Sequence, residues 1–314
     1  MIPGAKFPPL YHHKNISFYQ ERRFTMKKVK RIFSTAALLF TLGLCLMFAS
    51  PVQAKTNPTK VVLQPGRVYR QYDITGNGKR DKIQIKTTPT TDSDGSISDF
   101  SIYVNGKKAY TLNSIRNFYK EDVYAQLYTL SNGKPFLYLY VAFENGDGPV
   151  CGIFQYKGRR LNEIIDFQET LDDYGYHQMG YVTGVQGNRL YVSQELNSYS
   201  LGLNSIRFVY KYSRGTLVSA SRYGTYTSIY TLNGRSRYLT ANRDIPVYTT
   251  AYANASLKFN IFKGDRVRIN KCALIKGKMY IQVSSKGLTG WIFPATSYPE
   301  TSEYQQFAET QYAG

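Results

Sequence analysis

Residues whose type and spacing suit chemistry gather first in one short stretch, Asp73-Ile-Thr75-Gly-Asn77-Gly78-Lys79-Arg-Asp81. Oxygen-bearing side chains at alternate positions around glycine let a tight loop turn Asp73, Thr75, Asn77 and Asp81, with the Lys79 carbonyl, toward a hard cation such as Ca2+. Only two of these are carboxylates, and Lys79 and Arg80 add positive charge, so such a site is a weak one. The competing reading is a hairpin turn in which Asp and Asn bond their own backbone. A second concentration is acidic: Glu163, Asp166, Glu169, Asp172 and Asp173. Two carboxylates can serve a glycosidase as acid and base, but these fall at a hairpin end and in the connection after it, where charge usually solvates a loop. Tyr174, Tyr176 and His177 in that connection offer ring faces and a donor for a sugar.

Nucleophilic and transition-metal chemistry is poorly provisioned. Beyond residue 54 the chain has one histidine, His177, and two cysteines, Cys151 and Cys272, whereas thiol and metal hydrolases need several such groups converging. Nothing around Cys151 or His177 has the form of a nucleophile turn. The two cysteines lie far apart among strand-like apolar residues, which favours two buried free thiols over a disulfide.

The amino terminus accounts for part of the charge. Lys27, Lys28, Lys30 and Arg31 precede an apolar run from Ile32 to Ala49, then Pro51 and small residues ending at Ala54. That order describes a secretory signal peptide over 26–54, with residues 1–25 an upstream extension. The competing reading, a retained membrane anchor, is disfavoured because the run is at the short end for a spanning helix and ends at a breaker. Leu44 before Cys45 argues against a lipid anchor. The chain is therefore expected to be secreted and associated with the cell wall, without a retained transmembrane segment. Those first 54 residues hold eight Lys/Arg against one Glu, leaving about +12 of the formal +19 on the remainder.

The elements that must position these residues are strands. Of 314 residues 42% are hydrophobic and 15% aromatic, with 29 Tyr and 17 Phe, a composition that supports a core and favours sheet over helix. No helical period runs between Val61 and Tyr230, while alternation and turn dipeptides recur. Asn77-Gly78, Asn132-Gly133 and Gly187-Asn188 fall 55 residues apart in both intervals. Each is followed by an alternating strand and then by a second hairpin, turning at Asn105-Gly106, Lys157-Gly158 and Arg214-Gly215. The pattern predicts an all-β domain over 55–235 built of three four-stranded repeats. These would stack as a propeller-like array or regroup as a β-sandwich.

Residues 236–297 read differently. Ala241-Asn242-Arg243, Pro246-Val247-Tyr248, the Lys263-Gly264-Asp265-x-Val267 turn and strand, the Gly277–Val283 hairpin strand and Gly287-x-Thr-Gly-Trp-Ile292 follow in order. This segment resembles the bacterial SH3 (SH3b) family, which implies a small SH3-like barrel and attachment to cell-wall material. The candidate ligand groove on that resemblance is Tyr248, Tyr252, Tyr280 and Trp291. Independently, Val267, Ile269, Leu274, Ile281, Val283 and Ile292 are spaced to fill one interior. The segment carries ten Lys/Arg against two Asp, which suits an anionic polymer; export argues against nucleic acid. The first loop, residues 73–85, resembles the calcium loops of FG-GAP/VCBS-type extracellular repeats, implying the Ca2+ set named above. Residues 298–314 are expected to be a disordered or loosely docked tail. Together these features predict a non-catalytic, exported cell-envelope binding protein whose SH3b module attaches to peptidoglycan or an anionic wall polymer. A cell-wall or glycan hydrolase targeted by that module, and a surface adhesin, are the alternatives.

Overall fold

A computed structural model describes residues 57–312 apart from 92–93, 114, 116–117, 142–147, 172–173 and 277, and apart from the side chains of 176–178. The expected signal peptide and the extension before it lie outside the described residues. The regular structure described is almost wholly antiparallel sheet.

The first sheet is a meander of β2 (Val68–Tyr72), β3 (Asp81–Pro89), β4 (Ile97–Val104) and β5 (Lys107–Leu112). Asn105 and Gly106, both at positive φ, form the β4–β5 turn, the geometry for which Asn-Gly is selected. In the second sheet, β6 (Val123–Thr129), β7 (Pro135–Val141), β8 (Val150–Lys157) and β9 (Arg160–Asp166) follow one another, and β1 (Thr59–Leu63) pairs with β6 at its edge. The β8–β9 turn is centred on Gly158 and Arg159, one residue later than the Lys157-Gly158 expected from sequence, because Lys157 already pairs with Arg160.

The second sheet is a middle layer. In β7, PFLYLYV, alternate side chains leave opposite faces. Leu137, Leu139 and Val141 pack with Ile83, Ile85, Phe100 and Ile102 of the first sheet. Phe136 and Tyr138 pack the other way, against Val182, Leu190 and Val192. A strand buried on both faces reads as a nearly continuous apolar run, and this one does.

The third sheet begins with β10 (Gly175–Gln186), β11 (Arg189–Ser198), β12 (Gly202–Ser213) and β13 (Thr216–Ser219), then continues into the carboxy-terminal segment. The strand β14 (Tyr223–Thr231), extended by β15 (Gly234–Ser236), pairs with both β12 and β19 (Arg266–Ile275). From β19 the order runs through β20 (Lys278–Ser285), β21 (Leu288–Ile292), β17 (Ile245–Tyr248) and β18 (Leu257–Ile261). Among the described residues no sheet closes into a barrel. The free edge of β19 is occupied, by β16 (Tyr238–Thr240) along Arg266–Arg268 and by β14 along Lys271–Ala273. One core joins both sides of residue 235: Leu196, Ile206, Tyr226 and Ile229 pack with Val267, Ile281, Val283 and Ile292.

The carboxy-terminal stretch is not a loose tail. Phe307 is fully buried in that shared core, and the chain around it bridges Ala241 and Thr231. Thr240 donates its backbone N–H and its hydroxyl to the Glu309 carboxylate at 2.7 and 2.6 Å, and Arg266 pairs with it at 2.9 Å. Glu residues suggested a solvated end. The aromatic side chains between them, Tyr298, Phe307 and Tyr312, supply enough apolar surface to dock it.

Candidate binding site

The sheet formed by β14, β19, β20 and β21 has two faces. Cys272, Met279, Ile281 and Ile292 point into the shared core, while Ala273, Tyr280 and Trp291, one residue on or back, form a separate cluster with Ala251 on the other face. Period-two alternation alone produces that division. The aromatic set fits because its neighbours are small. A Cβ at Gly290 would lie 2.5 Å from Val247 Cγ1 and 2.8 Å from the Tyr248 carbonyl, so glycine is what lets β17 close on β21 beside Trp291.

Around this cluster Tyr248 and Tyr280 both meet Phe293, at ring separations of 4.9 and 5.3 Å, and Tyr223 stacks on Trp291 at 5.9 Å with 25° between planes. Two cations complete it. Lys271 Nζ lies 4.3 Å from the Tyr223 ring centre and 5.9 Å from that of Trp291. Arg222 lies 5.1 Å over Tyr223 and donates to the hydroxyls of Tyr223 and Tyr252, at 2.9 and 3.0 Å.

The four aromatic residues expected to line a groove are thus held in one neighbourhood, but in different roles. Trp291 and Tyr280 are buried and form the foundation, Tyr248 is half-buried, and Tyr252 is exposed and tied in through Arg222. Sequence reasoning missed Tyr223, Phe293, Arg222 and Lys271. The outward alternation of Tyr223 in β14 was readable, but its partner strand β19 lies some forty residues on, and no local pattern signals that pairing. Chemically the arrangement is a platform of rings with two cations held at its surface by cation–π contact, suited to an anionic or ring-bearing ligand.

The Asp73 loop is satisfied from within. Asp73 Oδ1 accepts from the Thr75 hydroxyl and the backbone N–H groups of Gly76 and Asn77, and its Oδ2 from Gly78 N–H at 2.6 Å. Asp81, 3% exposed, accepts from the N–H groups of Ile74 and Thr75 and from the Asn105 amide. Asn77 Oδ1 accepts from Lys79 N–H. Every side-chain oxygen expected to face a cation already faces a donor or, for Thr75, gives its proton to Asp73. A cation would have to displace these bonds. Among the described residues no group of three or more His, Cys, Asp or Glu stands close enough to hold a metal.

In the acidic region Asp172 and Asp173 lie outside the described residues, as do the side chains of Tyr176 and His177, and Tyr174 is buried. Partial desolvation first, then the charges of Asp166 and Glu169, raise the carboxyl of Glu163, a residue otherwise exposed, to about 7. Both thiols are free and buried. Burial pushes Cys151 up to about 11 and Cys272 to about 12, the wrong direction for a nucleophile.

Set against family models, curated proteins and solved structures, the chain finds no match in any of the three comparisons.

Proposed function

We propose that this chain is an exported, non-catalytic cell-envelope binding protein. In this reading the stacked sheets are a propeller-like array, the carboxy-terminal segment is an SH3b-like module, and that module attaches to peptidoglycan or an anionic wall polymer. The observation that carries it is the pairing of Arg222 and Lys271 with the Tyr223–Trp291 platform, Lys271 and Trp291 lying in the segment 236–297 that has ten Lys/Arg against two Asp. Aromatic contact orients the cations without neutralising them, so both remain available to phosphate or carboxylate groups. The reading is non-catalytic because the platform contains rings and cations but neither an acid nor a nucleophile.

The test is sedimentation of the purified protein with purified cell walls, intact or stripped of anionic polymer. Retention on intact walls that falls with rising salt supports the reading; equal behaviour toward walls and an unrelated insoluble polymer refutes it. A second reading, a glycan hydrolase, would draw on Glu163, whose carboxyl is raised to about 7 by partial burial and by the charges of Asp166 and Glu169. Release of reducing ends from those walls, abolished by Glu163→Gln, would put that reading first.

A further inference from the structure

A second site adjoins the cationic platform and is lined by other residues. Between the β11–β12 turn, the start of the carboxy-terminal segment and the docked chain end is a cleft of about 280 Å3. Tyr199, Tyr298 and Tyr304 form its walls, with Arg243, Glu300 and Gln306 among them.

The cleft is built. Tyr199 and Tyr298 meet edge to face at 4.9 Å, Tyr298 meets Tyr312 at 5.5 Å, and the Tyr298 hydroxyl donates to the Asn197 carbonyl. The Asn242 side chain donates to the Ser302 carbonyl at 2.8 Å, and its backbone N–H to the Gln306 carbonyl at 3.0 Å. These bonds fix the short 3-10 turn Ser302–Tyr304, and with it the Tyr304 ring, which is 60% exposed. Gln306 is 7% exposed and donates from Nε2 to the Phe293 carbonyl, while its Oε1 is buried with no hydrogen-bond partner among the described residues. A buried acceptor left unpaired is costly and calls for a partner.

We infer that this cleft is a binding site for a neutral saccharide of one or two pyranose rings. Three tyrosine rings in the lining supply aromatic surface for the polarised C–H groups of a sugar ring. Sugar hydroxyls both donate and accept. The lining matches that duality: the Glu300 carboxylate accepts, and the Arg243 guanidinium donates. Glu300 offsets the charge of Arg243, so the cleft is close to neutral, which separates it in chemistry from the cationic platform. The volume sits at the lower end of small-ligand clefts, about 300 Å3 upward, which limits the occupant to a mono- or disaccharide portion of a longer chain. The inference goes beyond the wall-attachment reading and does not depend on it, since none of its residues belongs to the platform.

The experiment is titration of the purified protein with chitobiose, cellobiose, maltose and lactose at up to roughly 10 mM, followed by calorimetry and by the Gln306 side-chain amide signal. Inorganic phosphate and a neutral tripeptide serve as the other arms. At least one disaccharide is expected to bind saturably and shift that signal, with phosphate failing to compete. Tyr304→Ala, at an exposed ring, is expected to weaken binding roughly tenfold with unchanged thermal stability. Arg243→Ala, at an exposed donor of the lining, is expected to weaken it comparably, its melting temperature being measured alongside. The inference is overturned if no disaccharide binds, if the tripeptide or phosphate alone does, or if Tyr304→Ala binds as the parent.

Discussion

Replacing Phe307 by alanine is the sharpest test of how the chain end contributes to the fold. The ring is fully buried among residues of the core that joins the third sheet to the carboxy-terminal segment. The chain on either side is held by backbone bonds from Asn242 to Gln306, Ala308 to Thr240 and Leu203 to Gln311, at 3.0, 3.0 and 2.8 Å. Those bonds resist collapse of the surroundings, so most of the cavity should remain. Removal of a buried Phe ring under such conditions costs about 3–5 kcal/mol. In a domain of this size each kcal/mol moves the midpoint by about 2–4 °C, giving a fall of roughly 6–20 °C. Scanning calorimetry measures it, and limited proteolysis should cut the variant near residue 300 before the parent. A fall of under about 2 °C, with the chain end no more protease-sensitive, would refute the claim that this stretch is part of the core.

Further outcomes follow from the same structure. A Cβ at Gly202, where φ is +60, would lie 1.9 Å from the Gln311 carbonyl oxygen, so Gly202→Ala should release the chain end and destabilise as much as Phe307→Ala. Gly215→Ala, at φ +85 with nothing within 4 Å, should cost only the about 1–2 kcal/mol of a left-handed residue, both read by calorimetry. Asp81→Ala strands the donors of Ile74, Thr75 and Asn105 and should cost about 2–4 kcal/mol in denaturant melts. Because those oxygens are taken, millimolar calcium should leave the parent midpoint unchanged, and a chelator-reversible rise would contradict the turn geometry. The Glu163 carboxyl, raised by burial and by neighbouring charge from the ordinary 4.5 to about 7, binds its proton more tightly folded than unfolded. Its contribution is therefore present below the unfolded value and is lost as pH climbs through about 7. Melts across that window should show stability falling with pH, and Glu163→Gln should flatten the slope.

Local patterns were legible in the sequence wherever the cause was local. Asn105-Gly106 and Arg214-Gly215 announced hairpins because both residues of each pair must take positive φ, and they do. The alternation in DKIQIK put Ile83 and Ile85 in the core. What escaped was long-range. β1 crosses from ahead of the first sheet to the edge of the second, and β14 inserts between β12 and β19; pairings between strands dozens of residues apart leave no periodic trace. The same gap hid half of the binding platform. Trp291, Tyr248, Tyr252 and Tyr280 were recognisable within one segment, but Arg222 and Tyr223 arrive from the far side of residue 235. The oxygen-rich Asp73 loop shows the reverse: its residue types fit a cation and a self-bonded turn equally, and only the direction of each N–H shows where its oxygens are spent.

The measurement that bears most directly on the account is the affinity of the Arg222→Ala/Lys271→Ala double variant for purified anionic cell walls, beside the parent and at two salt concentrations. Both positions lie at the surface above the buried Trp291, so the fold should survive, which an unchanged melting temperature would establish. If the platform is the attachment site, the variant should lose roughly tenfold or more in affinity together with most of the salt dependence. A folded double variant that binds walls as tightly as the parent, with the same response to salt, would contradict the assignment.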